Sequence, residues 1–262
     1  MPHASHTWLP DRSPVAMFLQ VCLNGSRTHA DHPRLPVSAS EMVESVIALE
    51  QAGVQSVHLH VHDASGAESL HPEAVAFTLQ SIRHRCPTME LAVSTSESIV
   101  KDPRRRVDLL RQWTVWPDTL CTNLSEEGID DVIALAQEQG VHCEAGLFWP
   151  EDIRHLRRLP QVKWRRLLLE PLSDDVAEAK DQLRALLDEL GSPWLPVPHV
   201  IHGMNATTYS LLLEGAQRTR ASRIGFEDTL VLPDGRVAND NVELYREALR
   251  WIETSTFQTL RE

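Results

Sequence analysis

Residues 55–61, QSVHLHV, put Val57, Leu59 and Val61 on one parity and His58 and His60 on the other. Successive side chains of a strand point to opposite faces, so this stretch reads as a strand with one aliphatic face and one imidazole face. Helices covering a parallel sheet take the aliphatic set. In a closed barrel the two imidazoles then point inward, near the C-terminal end of the strand, where barrel enzymes build their sites.

On either side of this stretch the chain alternates short apolar runs with amphipathic segments. Strands are predicted at 17–23, 55–61, 90–95, 119–124, 141–145, 165–170, 197–202 and 222–227. Helices are predicted near 40–52, 72–85, 103–113, 127–139, 150–158, 175–190, 205–219 and 239–253. Ser38 and Glu41 fit a capping box, Gly53 fits the left-handed position that ends a helix, and Pro72 suits a first turn. Eight strand–helix units without a long Ser/Gly linker are the pattern of a (β/α)8 TIM barrel, an α/β fold in a single domain. A doubly wound sheet would carry a Gly-rich first turn, for which Asn24-Gly25-Ser26 is too weak. Residues 15–262 are assigned to the barrel, and 1–14, MPHASHTWLPDRSP, to an irregular N-terminal leader.

The 262 residues hold 25 basic and 37 acidic side chains, a net charge of −12, and are 42% hydrophobic. That apolar content supports a real core, and the acidic balance argues against nucleic acid and against an anionic membrane surface. No apolar run is long enough to span a bilayer. Cys22, Cys86, Cys121 and Cys143 are widely spaced and read as reduced core thiols of a cytoplasmic protein. The 7 Trp fit the helical shell or the interface of a homo-oligomer.

Polar residues recur where a barrel built only for stability would carry Val, Ile or Leu. Ser94 faces inward on the third strand, His142 and Glu144 on the fifth, and Arg223, Gly225 and Glu227 on the eighth, with Asp228 following. Asn24, Asn123 and His202 end the first, fourth and seventh strands. Buried charges and imidazoles need partners. His58 and His60, two apart on one strand, can share a metal ion, and Glu227 from the eighth strand can reach them, because both strands flank the first. Hydrogen-bonded core histidines are the competing account of His58 and His60, and a structural ion pair that of Arg223 and Asp228. Arg104-Arg105-Arg106 and Arg165-Arg166 read as solvated faces rather than phosphate sites.

NGSRTHADHPRLPVS, HLHVHDASGAESLHP, VSTS, HCEAGLF, IHGMNATT and RIGFEDTLVLPDGRVANDNVELYREAL together resemble the β-keto acid cleavage enzyme family over nearly the whole chain. The resemblance implies Zn2+, or another divalent metal, on His58, His60 and Glu227. It implies a reaction in which a β-keto acid and acetyl-CoA give acetoacetate and a new acyl-CoA. The family's catalytic positions fall on Arg223, Asp228, Ser94 and Glu144, while Asn24, Arg27, Thr95, Asn123 and His202 are expected on the substrate side. The chain departs from the family at three places. His62 replaces an Arg, Arg27 stands where some members have an acidic residue, and EPLSDD follows strand six where longer members have a Gly-rich loop. Arg27 suits an anionic or neutral substrate tail. Two alternatives stay open: a metal-dependent barrel hydrolase or lyase acting on a keto acid without CoA, and a non-catalytic metal-binding barrel.

Overall fold

The computed structural model describes residues 17–191 and 196–259; the expected leader, 1–14, lies outside them. Eight strands, β1 (Phe18–Cys22), β2 (Ser56–Leu59), β3 (Glu90–Ser94), β4 (Thr119–Asn123), β5 (His142–Leu147), β6 (Trp164–Leu169), β7 (His199–Ile201) and β8 (Ala221–Ile224), alternate with eight α-helices. The helices are α1 (Ala39–Gln51), α2 (Pro72–Arg85), α3 (Pro103–Leu110), α4 (Ile129–Glu138), α5 (Pro150–Leu156), α6 (Val176–Leu190), α7 (Thr208–Arg218) and α8 (Asn241–Thr259). Strand order is β7-β6-β5-β4-β3-β2-β1-β8, and every laddered pair is parallel. The circle closes between β7 and β8 without a backbone ladder, where the Ser222 hydroxyl donates to the Ile201 carbonyl at 2.6 Å. The fold is the expected (β/α)8 barrel.

Local signals act as the sequence reads. Ser38 Oγ accepts from the Glu41 amide at 3.3 Å, Glu41 Oε2 accepts from the Ser38 amide at 2.8 Å, and Gly53 has φ +95°. Val57, Leu59 and Val61 are buried together with Met42, Val46 and Leu49 of α1 and Val75, Leu79 and Ile82 of α2. Each such side chain contributes about 1.5–3 kcal/mol of burial, and this aliphatic layer fixes which face of β2 turns inward.

The barrel interior is polar below the mouth. Gln20 Nε2 donates to Ser56 Oγ at 3.0 Å and to Glu144 Oε1 at 3.1 Å. Arg166 Nε donates to Glu144 Oε1 at 2.6 Å, its Nη2 lies 2.7 Å from Glu90 Oε1, and its guanidinium stacks 4.6 Å from the Phe18 ring centroid. Arg166 is therefore buried, not on a solvated face. The register between β5 and β6 slips at Cys143/Glu144, which lets the half-exposed Arg165 reach Glu90 as well, at 2.7 Å. Two further expectations are overturned. Arg106, unlike the exposed Arg104 and Arg105, is fully buried against Glu126 and the Glu127 carbonyl. His142, at the first position of β5, is exposed rather than inward.

Candidate active site

Gly225 sets the geometry of the mouth. A Cβ there would lie 2.0 Å from the Cys22 carbonyl oxygen, so only glycine lets the end of β8 close on the end of β1. The chain then crosses β1, the Glu227 amide donates to Cys22 O at 3.3 Å, and the Glu227 carboxylate reaches β2. Its Oε2 lies 3.3 Å from His58 Nε2 and its Oε1 3.5 Å from His60 Nε2. The donor atoms of His58, His60 and Glu227 all fall within 4.8 Å of one another.

These groups are held from behind. Asn24 accepts from the His60 amide at 3.0 Å and donates to the His60 and Pro36 carbonyls at 2.9 and 3.0 Å. Both ends of Asn24 are thus engaged with backbone, and its place is a clamp on β2. The His60 ring uses Nδ1 against Glu68, which a turn closed by a His62–Glu68 bridge brings back over the strand. A carboxylate on the far nitrogen of an imidazole is the usual support of a metal-ligating histidine. Glu144 lies deeper, with His58 and Cys121 within 4.8 Å, and its Oε2 has no hydrogen-bond partner.

Arg223 sits at the centre of the cluster. Its Nε donates to Cys22 Sγ at 2.8 Å, its Nη2 lies 3.5 Å from Glu227 Oε2, and its Nη1 is 3.4 Å from His202 Nε2. It pairs with Glu227 at 3.5 Å, and no Arg223–Asp228 ion pair within 4.0 Å occurs among the described residues. Asp228 and His202 are each 1% exposed, with His202 Nδ1 3.6 Å from Asp228 Oδ1 and Nε2 3.3 Å from Glu170 Oε2.

Burial and neighbouring charge compete at each group. Burial pushes His58 well below the ordinary histidine value, even against Glu227. Burial also opposes the charge of His60 and His202. In His60 Glu227 and Glu68 outweigh it, in His202 Glu170 and Asp228 do, and both rings are lifted to about 9. Glu227 is held well below the carboxylate range despite burial, because His58, His60 and Arg223 face it. Burial raises Asp228, the direction a carboxylate needs to serve as a base.

The remaining expected residues lie around the mouth. Ser94, 5% exposed, accepts from the Ser96 amide at 3.4 Å. Thr95 Oγ1 donates to the Cys121 carbonyl at 2.7 Å and so is occupied by backbone. Asn123 Nδ2 donates to Glu126 at 2.8 Å, and Arg106 grips that same Glu126. Arg27 is half-buried on the rim, donating to Asn205 Oδ1 at 3.0 Å and the Glu227 carbonyl at 3.4 Å. Sequence reading missed Glu68, Glu170 and Arg106. The first had a local signal in the D-A-S-G-A-E turn, the second in its place just after the LLL of β6, and the third had none.

Two nitrogens and a carboxylate, with one imidazole backed by Glu68, fit a borderline divalent ion such as zinc with open coordination positions. Among proteins of known activity, the 3-oxoadipate:acetyl-CoA acetyltransferase of Cupriavidus necator is 37% identical over 79 residues, 30% of this chain and 28% of that relative. The 3-keto-5-aminohexanoate cleavage enzyme of Fusobacterium nucleatum is 21% identical over 257 residues, 89% of this chain and 90% of that relative. Among solved structures, the ternary complex of ObcA with C4-CoA adduct and oxalate shares the fold, with a TM-score of 0.62 and 17% identity over 87% of this chain and 64% of that one. The chain therefore spans less than two thirds of the first of these relatives and of ObcA. The family model for beta-keto acid cleavage enzyme matches residues 16–260, and with the barrel and the mouth residues above, the chain belongs to that family.

Proposed function

We propose that the protein exchanges the acyl group of a β-keto acid for the acetyl group of acetyl-CoA, yielding acetoacetate and a new acyl-CoA. The observation that carries this reading is the junction of a triad able to hold a metal with a buried carboxylate and two nitrogen side chains, Arg223 and His202, at one barrel mouth. His58, His60 and Glu227 would hold zinc or another divalent ion, which when bound would supply the Lewis acidity that makes the carbon between two carbonyls acidic. Asp228 Oδ2, buried without a hydrogen-bond partner, takes the proton from that carbon. Arg223 and His202 offset the negative charge that develops.

The resulting carbanion attacks the thioester carbonyl, and the CoA thiolate leaves. Ser94 and Asn123 lie on the strands opposite β8 and are assigned to the oxyanion of this step. The thiolate then adds to the original keto carbonyl, the older carbon–carbon bond breaks, and Asp228 returns its proton to the acetoacetate carbon. Bonds and protons balance without an oxidant or reductant. Glu144 is assigned to the support of His58 from below, held by Gln20 and Arg166.

Arg27 favours a substrate whose tail carries a carboxylate, in keeping with the 3-oxoadipate in the name of the Cupriavidus relative. With Arg223 it also offers a local positive field to anions approaching a chain of net charge −12. Four free, buried cysteines favour a reducing, cytoplasmic location, and exposed Phe77 and Trp149 favour a homo-oligomer. No described helix is long and apolar enough to cross a membrane.

The β6–α6 loop reads EPLSDD and carries no glycine, which favours a second reading, keto-acid cleavage by water without CoA. One assay separates them. Zinc-loaded protein is given a panel of β-keto acids with and without acetyl-CoA, and loss of the keto acid is followed together with acetoacetate, acyl-CoA and the free acids that cleavage by water would release. Keto acid consumed equally well without acetyl-CoA, with release of free acids, removes the first reading, and no turnover with any loaded metal removes both.

A further inference from the structure

Glu170 directly follows β6 and has no part in the steps above, yet it faces the ring that faces the base. Its Oε2 is 3.3 Å from His202 Nε2, while Nδ1 on the opposite side of the same ring is 3.6 Å from Asp228 Oδ1. The ring is 1% exposed, out of reach of bulk water. The third neighbour is Arg223, whose Nη1 lies 3.4 Å from the same Nε2. A guanidinium only donates. Nε2 therefore either accepts from Arg223 or carries a proton toward Glu170, and it cannot do both.

We infer that Glu170 is a positioning residue that acts through His202: it holds the ring as an imidazolium bridging Glu170 and Asp228, and thereby leaves the Arg223 guanidinium for the substrate. Two consequences follow from the tautomers. With Glu170 in place, Nδ1 carries its proton toward Asp228 Oδ1 as an ion pair at 3.6 Å, short of a formed hydrogen bond, and Oδ2 stays the free oxygen of the base. Without its charge, the ring becomes neutral, Nε2 accepts from Arg223, and the mouth loses one positive charge beside the developing carbanion. The groups that face His202 are Glu170 from just after β6, Arg223 of β8 and Asp228 from the turn after β8, so the pairing has one donor-only neighbour and two acceptors. The carboxylates offset the burial that would otherwise strip the ring of its second proton.

This inference rests on the reading of Asp228 as the base, and its test keeps the two apart. The first measurement is the exchange of the substrate's α-protons with D2O by zinc-loaded protein in the absence of acetyl-CoA. Glu170→Gln is expected to slow exchange by about tenfold or more, with metal content unchanged, because a charge-dependent proton transfer is impaired. In a His202→Asn background the same substitution is expected to cost less than about twofold, since residues acting as a unit are not additive. The second measurement is the 15N resonance of the His202 ring, expected to show both nitrogens protonated in the wild type and one in Glu170→Gln. Exchange within about threefold of wild type, equal losses in both backgrounds, or two protonated nitrogens in Glu170→Gln would each overturn the inference. A wild type that exchanges no α-proton removes the proposed function instead, and the ring resonances still decide the role of Glu170.

Discussion

Arg106→Met takes a fully buried guanidinium from between α3 and the loop after β4. The Glu126 carboxylate, 7% exposed, keeps only the Asn123 amide at 2.8 Å. The carbonyl of Thr95, 3.4 Å away, and that of Glu127 lose the same donor. Removing one partner of a buried ion pair costs about 3–5 kcal/mol because the other charge is stranded. The methionine stem returns about 1 kcal/mol of apolar burial, leaving a net loss of about 2–4 kcal/mol. At about 2–4 °C per kcal/mol for a domain of this size, the melting temperature should fall by roughly 4–16 °C. Arg104→Ala and Arg105→Ala, exposed in the same triplet, should each move it by less than about 2 °C. Glu126→Gln added to Arg106→Met should recover part of the loss, since no buried charge then remains unpaired. Thermal melts by far-UV circular dichroism decide the matter. Equal effects for all three arginines, or a double variant weaker than Arg106→Met, would refute the argument from a stranded carboxylate.

Glu68→Gln should lower metal affinity by roughly 10–100-fold by weakening the support of His60; competition with a chromophoric chelator measures it, and unchanged affinity counts against the His58–His60–Glu227 assignment. Gly225→Ala forces a Cβ to 2.0 Å from the Cys22 carbonyl, so β1 and β8 must separate at a cost of about 1–3 kcal/mol or more. The protein should melt lower and bind metal more weakly, and a variant with wild-type metal binding speaks against Gly225 as the residue that brings Glu227 to β2. His199 is held at about 4 by burial, below the ordinary histidine value, so the unfolded chain takes up its proton first as pH falls. The stability it contributes is complete above about pH 6.5 and is lost toward pH 4, amounting to about 3 kcal/mol. His199→Asn should flatten the decline of melting temperature between pH 7 and 4.5, and parallel declines in the two proteins would rule this contribution out.

The barrel was legible because its periodicity is carried by side chains that obey one rule along each strand. Val57, Leu59 and Val61 against His58 and His60 already separate shell from interior, and the Ser38–Glu41 box marks a helix start without any tertiary information. Parity also placed Glu227 and Arg223 on one face. It failed where pairing between distant segments decides the answer. Whether an arginine triplet is solvated depends on Glu126, twenty residues further on, and Arg166 is buried only because Glu90 and Glu144 from two other strands meet it. Asn24 and Thr95 were expected at the substrate, yet their polar atoms are taken up by backbone from neighbouring strands. Glu170 escaped notice because a carboxylate at a strand end becomes informative only when the histidine facing it is known.

The polar layer beneath the mouth constrains how such a chain can change over generations. Arg166 holds Glu90 and Glu144 together, and Gln20 ties Glu144 to Ser56. Losing the arginine alone strands two carboxylates, while losing either acid alone leaves the cation short of a partner. An aliphatic filling of the same volume is attainable only if the members are exchanged together. The layer therefore behaves as a single heritable character. Lineages that diverge in substrate through rim residues such as Arg27 should keep it whole, and a redesign of this barrel should treat it as one block.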